Sequence, residues 1–538
     1  MKEIVYIIND ISVSVNSPTE EAYNLARERL RCAHASLNNV SFSIYRKSID
    51  ARKKKDIRLV YSIAAKGISR DISADVCKAH HIARLADADL SFSIGKETLS
   101  HSPVIVGAGP CGLFAAMLLA KHGYAPIVLE RGGCVTERVA LVERFHRFGI
   151  LDEETNVQFG AGGAGTFSDG KLVTRLNDPY INFILSTLVE MGADPDILTK
   201  AKPHVGTDVL RVVTQNMIDC IESHGGRVHY HTKFLRAVTD GGVVRAVDTS
   251  VGRFPAGALV LAIGHSARDT YSTLISDGLA LEAKPFSVGM RIEHRANDID
   301  KAMYGDYAGH PSLGHAEYNL SHNTKIRGVY TFCMCPGGSV VAAASETGGV
   351  VVNGMSEKAR DGVNSNSAIV CSVFKEDYGS TPHKAIEFQR SIERAAFVSG
   401  GKNYNAPISS VGDFLNARAP KSIPDKILPT YRNGVHLTPS APDTYLPEFV
   451  CRGIRDALLS FNNKIEGFAD SAALLIGAET RTSAPIRILR DPATHLALGY
   501  KNLYPGGEGA GYAGGITSAA LDGIYIAISL MEQYAPLL

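Results

Sequence analysis

At 538 residues the chain exceeds one ordinary hydrophobic core, so two or three domains are expected. With 56 Lys+Arg against 55 Asp+Glu the formal net charge is +1, which gives no global pull toward nucleic acid or an anionic membrane. Nine cysteines at no framework spacing, and a start (Met1-Lys2-Glu3-Ile4) that leads directly into a strand pattern with no signal peptide, argue against a secreted disulfide scaffold and point to a reducing cytoplasm.

Residues 1–98 read as a small separate domain. Residues 4–8 form a strand pattern, and Ser17-Pro18-Thr19-Glu20 reads as a capping box with Pro at the first helical position. The helix that follows puts Ala22, Ala26, Leu30, Ala33 and Leu37 on one face. Strands are expected at 40–45 and 57–63 around a polar stretch at 47–56, then a second helix at 73–86. This β-α-β-β-α order is compatible with a ferredoxin-like α+β domain. The run Arg52-Lys53-Lys54-Lys55 is a solvated hairpin tip or a contact for RNA; no aromatic residues interleave with it as a stacking platform requires.

The stretch at 103–133 organises the rest. A short apolar strand, Val104-Ile105-Val106, turns through Gly107-Ala108-Gly109-Pro110-Cys111-Gly112 into a helix of small and apolar residues, and a second strand ends on Glu130. Three glycines serve the tight turn, the approach of backbone to a pyrophosphate, and close helix–strand packing. Phosphates would sit at the helix N-terminus, where free N–H groups and the helix dipole favour negative charge. Glu130 lies 18 residues beyond Gly112, near the ~20 expected of the acid that takes a ribose hydroxyl. The same glycine spacing recurs at Gly160-Gly162-Gly165 and Gly509-Gly511-Gly514, but only the first has a strand before it, a helix after it and a trailing acid. The alternative is a buried glycine-rich crossover without a ligand.

Residues 156–172, NVQFGAGGAGTFSDGKL, read as an extended loop laid against a ligand, with Gly162, Gly163, Gly165, Thr166 and Phe167 nearest to it, or else as a flexible surface loop. A strand pair at 226–237 and an apolar strand closing on Gly264 return the chain to the first sheet. Residues 502–515, NLYPGGEGAGYAGG, run into a helix from Ile516, whose N-terminus is a second seat for an anionic or carbonyl group. Residues 280–470 differ in texture and read as an inserted α+β cap domain that binds substrate, between a first dinucleotide-binding part at 99–279 and its C-terminal part at 471–538.

With these elements in order the chain resembles the glutathione-reductase-type FAD fold, and more closely the bacterial family of uncharacterised FAD-dependent dehydrogenases. The resemblance covers essentially the whole chain, including the appendage with KSIDARKK, and rests on GAGPCGLFAA, GGAGTFSDGKL, HVGTDVL, FCMCPGG, NGMS, ETRTSAPIRILRD and LYPGGEGAGYAGGITSAALDG. It implies an α/β FAD-binding Rossmann-like domain in which Gly107, Gly109, Pro110, Gly112 and Glu130 hold the pyrophosphate and ribose with Arg131 beside them. It further implies adenine near Phe234, the strand end Ala262-Ile263-Gly264 beneath the cofactor, and Gly509, Ala510, Gly514 and Gly515 near the flavin. Glu508 stands where related flavoproteins place an aspartate on the ribitol, a departure of one methylene.

No second strand-GxGxxG-helix unit with its own acid is evident, so no dedicated NAD(P)H domain is expected, and the electron donor is NADH or NADPH binding transiently, or another reductant. His204 and Asp208, beside a glycine turn, are the acid–base candidates, against the alternative that both cap backbone. Arg481 would fix an anionic substrate or the reduced flavin's charge, or is an ordinary ion pair. Cys333 and Cys335 lack CxxC redox spacing and read as packing residues, and no metal site is expected. The reading is thus an FAD-dependent oxidoreductase acting on a small molecule. The alternatives are a flavin-bearing RNA-modifying or RNA-associated protein and a non-catalytic FAD-bound interaction protein.

Overall fold

The long alternating segments near the N-terminus pair into one antiparallel sheet because each presents an apolar residue to the same side at every second position. The computed structural model describes residues 4–69, 71–85, 92–324, 327–431 and 436–537; Met1, Lys2 and Glu3, and Ala86 at the end of the expected second helix, lie outside them. The strands Val5–Ser14, Ser41–Asp50, Arg58–Lys66 and Ile82–Arg84 lie in the order second, third, first, fourth. The third is thus inserted antiparallel between the first and second. The helix Thr19–Cys32 closes Ala22, Ala26 and Leu30 onto the sheet. It starts without the expected capping box, since Pro18 is the cap residue and no side chain caps it.

Two further expectations are corrected in this domain. The second helix is only Ala74–Ala79, because His81 takes a left-handed φ of 53° and turns the chain into the strand Ile82–Arg84. The polar residues from Lys47 belong to the strand Ser41–Asp50, which tolerates them because it is an edge strand with one neighbour. At the tip beyond it Arg52 is paired with Asp50 at 2.5 Å.

The apolar triplet Val104–Val106 is buried on both faces, as a parallel strand under helices must be. It lies in a five-stranded parallel sheet ordered Leu503–Pro505, Leu259–Leu261, Val104–Val106, Ile127–Leu129, Arg227–His229. The helices Pro110–Lys121 and Ile516–Gln533 pack on one another so closely that a Cβ on Gly523 would stand 2.2 Å from the Cys111 carbonyl oxygen. The expected strand pair at 226–237 divides, with Arg227–His229 joining the parallel sheet and Phe234–Asp240 opening a separate three-stranded antiparallel sheet.

The inserted part is a seven-stranded sheet whose central strands Phe286–Arg295 and Asn364–Val373 are buried almost throughout. The helices Glu448–Asn462 and Pro382–Ser399 cover it with amphipathic faces. Leu474–Glu479 was expected in the dinucleotide-binding part. It is instead a strand of this sheet, hydrogen-bonded between Phe286–Arg295 and Ala406–Ser410, because Leu474, Leu475 and Ile476 need a two-sided apolar environment.

Candidate functional site

The carboxyl ends of the parallel strands open on a cleft of about 990 Å³ that runs from Glu130 and Phe234 to the inserted sheet, the place where open α/β sheets bind ligands. Gly107 has φ 104°, and a Cβ there would come within 2.3 Å of the Ala262 carbonyl oxygen, so the turn after the first strand admits only glycine. A Cβ on Gly112 would meet the Gly107 carbonyl oxygen at 1.9 Å. Gly107, Gly109 and Pro110 line the cleft, and Gly112 sits behind them, packing helix on turn.

Glu130 does more than a ribose-binding acid requires. Its Oε2 accepts a hydrogen bond from the Ala108 amide at 2.9 Å, and its Oε1 accepts from the amides of Gly132 (2.9 Å) and Gly160 (3.0 Å). One buried carboxylate therefore ties the glycine turn, the segment after the second strand and the loop at 156–172. Arg131 lies over the Phe159 ring at 4.1 Å and is clamped by Glu154 (2.6 Å) and Asp269 (2.9 Å). Lys233 joins the same two acids at 2.9 and 2.7 Å, so Arg131 is part of an ion-pair network at the cleft wall.

The loop at 156–172 is held by a residue that the sequence did not single out. Arg138, fully buried, donates to the carbonyls of Asn156 (2.9 Å), Val157 (2.9 Å), Gly160 (3.3 Å), Ala161 (2.7 Å) and Gly163 (2.9 Å). Burial lowers its pKa to about 9 against the pull of Glu130, so it is still protonated at neutral pH. Phe167 lies beneath Arg138 and Arg211, and the Thr166 carbonyl accepts from Thr207. Gly163 and Gly165 reach the cleft, whereas Gly162, Thr166 and Phe167 form its backing.

At the other end the helix Ile516–Gln533 points its N-terminus into the cleft. A Cβ on Gly514 or Gly515 would meet nothing within 4 Å. Ala262, Gly264 and Glu508 line the cleft beside them, while Gly509 packs on Gly264 and Ala510 is buried in the core. Burial pushes the Glu508 carboxyl up to about 7, with Lys284 opposing.

The inserted sheet supplies the remaining wall. Arg291, fully buried, donates to Glu479 Oε1 at 3.3 Å, to Asn366 Oδ1 at 3.0 Å and to the Cys333 carbonyl at 2.7 Å. The second oxygen of Glu479 is buried with no hydrogen-bond partner among the described residues. Burial raises the Glu479 carboxyl to about 7 against the pull of Arg291. Next to it Arg481 donates to Glu393 at 3.2 and 3.1 Å and to Ser345 Oγ at 2.5 Å. Arg268 grips the same Glu393 with two bonds of 2.7 Å. His265 donates Nε2 to the Arg481 carbonyl at 3.0 Å, and burial with Arg481 nearby lowers it to about 4, so it is neutral.

His204 and Asp208 are brought together, but not to the cleft. His204 Nε2 donates to the Lys358 carbonyl at 3.2 Å, and Asp208 Oδ1 accepts from the Lys358 amide at 2.9 Å. Neither lines the cavity. The glycine turn beside them is tight for a different reason than a ligand: a Cβ on Gly206 would strike the Lys358 amide at 2.2 Å. Arg481 does face the cleft, as part of a buried ion-pair network. Among the described residues no cluster of His, Cys, Asp or Glu could hold a metal ion, and no helix is long and apolar enough to cross a membrane.

Residues 285–482 match the family described as FAD-dependent protein, C-terminal domain-like, and residues 105–165 match the NAD(P)-binding Rossmann-like domain. The second match is the segment that carries the Gly107–Glu130 unit, and residues 6–66 match a domain of unknown function. An uncharacterised protein of Clostridium beijerinckii is 41% identical over 541 residues, covering 98% of each chain. Among solved structures, an L-amino acid deaminase from Proteus vulgaris is 15% identical with a TM-score of 0.32, covering 84% of this chain and 98% of its own. A glycine oxidase from Bacillus cereus is 12% identical with a TM-score of 0.33, covering 80% of this chain and 95% of its own. With the glycine segments assembled around one cleft and a relative matched end to end, the chain belongs to the same family as the uncharacterised Clostridium beijerinckii protein, and its inserted sheet is the C-terminal domain of an FAD-dependent protein.

Proposed function

We propose that the protein moves a hydride between FAD and a small organic molecule held in the cleft, with Glu479 giving or taking the accompanying proton. The cleft fits the cofactor that the family implies. Gly109 and Gly163 face each other so closely that a Cβ on Gly163 would lie 2.9 Å from the Gly109 Cα, and Gly514 and Gly515 leave open space at a helix N-terminus. Gly107, Gly109 and the first turn of Pro110–Lys121 would hold the pyrophosphate, Glu130 and Phe234 the adenosine end, and Glu508, Gly514 and Gly515 the ring end. Bound there, FAD supplies two-electron chemistry, and the protein supplies orientation, charge and protons.

The observation that carries the proton-transfer assignment is the unpartnered oxygen of Glu479 on the cleft wall. A buried carboxyl poised near 7 exchanges its proton at neutral pH, where acid–base catalysis is most effective. Arg291 holds the other oxygen and so fixes which one faces a ligand. Arg481 is immobilised by Glu393 and Ser345 and presents fixed positive charge to an anionic group of the substrate. Substrate polarity and proton supply then come from the inserted sheet, and cofactor placement comes from the glycine segments.

The test is the pH dependence of anaerobic flavin reduction by NADH and then NADPH, in the unmutated protein and in Glu479→Gln. We expect an inflection near pH 7 that the variant lacks, with the rate lowered about 10²-fold or more. An unchanged profile in Glu479→Gln would remove Glu479 from the reaction. A purified protein that holds no flavin even after reconstitution would remove the whole reading.

A further inference from the structure

Two thiols stand on the cleft wall at a defect in the inserted sheet. The strand Gly328–Cys335 pairs regularly with Asn364–Val373 as far as Phe332, opposite Ala368, and then slips so that Cys335 meets Asn366. Two residues, Cys333 and Met334, thus stand against one, Ser367, which is a β-bulge. Cys333 is the displaced residue, with a left-handed φ of 44°. Cys333 lines the cleft, while Cys335 lies fully buried behind it. A regular strand would hold the Cα atoms of such a pair roughly 6.6 Å apart, near the outer limit for bridging. The bulge bends the chain there, and Cys335 Sγ comes within 3.4 Å of the Cys333 carbonyl oxygen.

The surroundings divide the labour between the two sulfurs. The buried Arg291 guanidinium lies 3.6 Å from Cys335 Sγ and is bonded to the Cys333 carbonyl. Lys171 lines the same wall, with its ammonium on the Met334 carbonyl. The neighbouring Cys335 side chain, with Arg291 and Lys171, lowers the Cys333 thiol despite its burial, and the Cys335 thiol is raised in turn. A cleft-facing thiolate backed by a protonated thiol is the arrangement of an attacking and a resolving cysteine.

We propose that Cys333 and Cys335 form a dithiol–disulfide couple on the cleft, Cys333 attacking and Cys335 resolving, that reduces a small disulfide. This rests on the cleft being the redox site proposed above. The Cys333 thiolate attacks one sulfur of a disulfide RSSR, and the S–S bond breaks. The released RS⁻ takes up the proton that Cys333 had lost. Cys335 sulfur then attacks Cys333 Sγ and expels the second RS⁻, which leaves with the Cys335 proton. The substrate gains two electrons and two protons as 2 RSH, and the protein is oxidised to the Cys333–Cys335 disulfide. Return to the dithiol needs two electrons and two protons, the quantity that a reduced flavin carries.

The experiment uses the flavin-loaded full chain, reduced and desalted under argon, then treated with hydroxyethyl disulfide, alkylated and mapped by peptide mass spectrometry. We expect residues 328–358 to be lighter by two hydrogens, with one Cys333–Cys335 disulfide per chain and the exposed Cys32 still open to alkylation. Cys335→Ser should stop at a mixed disulfide on Cys333. A mixed disulfide that persists on Cys333 in the unmutated chain, or Cys333 left unreacted while Cys32 reacts, would overturn the proposal. The flavin spectrum of the same sample separates the two readings. Flavin that is bound and reducible with no disulfide formed removes the thiol couple alone. A disulfide formed in protein that retains no flavin supports the couple and removes the flavin reading of the cleft.

Discussion

Replacing Glu130 by Gln keeps the side chain's shape and removes its charge, and the structure gives the cost. A glutamine offers one acceptor oxygen and an NH2 group that only donates. Its best orientation keeps the oxygen on the Gly132 and Gly160 amides and turns the NH2 toward the Ala108 amide, so one of the three bonds is lost. A hydrogen bond to a charged group contributes about 1.5–3 kcal/mol, and the two that remain lose roughly half their strength on becoming neutral. The sum is about 3–6 kcal/mol, or a hundredfold at the least. It falls on the apoprotein, because all three partners are backbone of this chain. Hydrogen exchange of the apoprotein should therefore show the amides of Ala108, Gly132 and Gly160 exchanging at least about a hundredfold faster in Glu130→Gln, with FAD affinity falling in parallel. If FAD affinity drops while those amides keep their protection, Glu130 is a ribose ligand only and the tethering role is wrong.

Two glycine substitutions should separate folding from cofactor binding. Gly112→Ala drives a Cβ into the Gly107 carbonyl and should cost about 1–3 kcal/mol of stability. Gly514→Ala meets nothing and should leave the melting temperature unchanged while weakening flavin retention; equal melting shifts in the two variants would contradict this. Glu393→Gln should destabilise by about 3–5 kcal/mol in calorimetry, since it strands Arg268 and Arg481 without their carboxylate. Burial would raise the Glu393 carboxyl, but the two arginines outweigh it and hold it below the usual range. Its stabilisation is therefore present above the unfolded value of about 4.3 and is lost as pH falls below it; Glu393→Gln should flatten the stability profile in that acid window. His204→Gln and Asp208→Asn, which touch the Lys358 backbone and not the cleft, should leave the flavin half-reaction within about twofold. A larger loss would return them to the site.

The unit from Val104 to Glu130 was legible because strand, glycine turn, helix and acid follow one another within a short stretch, so spacing alone carries the geometry. The convergence of residues 156–172 and 502–515 on the same cleft was legible from their glycine density. Arg138 was not, since it reads as one charge on a polar helix and only the fold sets five carbonyls around it. Glu479 shared this fate: its strand pairs inside the inserted sheet, which the apolar run Leu474-Leu475-Ile476 did not announce. The placement of His204 and Asp208 was not legible, because a glycine beside polar residues signals close approach without saying of what, and here it is the Lys358 backbone. Cys333 and Cys335 looked like packing residues because a sequence read as a regular strand does not reveal a bulge.

The ion pairs around Glu393 bear on how anything reaches the cleft. Arg268 opens the helix Arg268–Ser276, which follows the parallel strand Leu259–Leu261, while Glu393 belongs to the inserted helix Pro382–Ser399. Swinging the inserted sheet away from the dinucleotide-binding sheet would pull buried opposite charges apart in a medium that solvates them poorly. Rigid-body gaping is thus disfavoured, and traffic is left to the side chains at the rim, where Lys202 and Arg175 are exposed. A molecule entering there meets a chamber already shaped, and its selection falls to the doorway and the walls more than to closure around it.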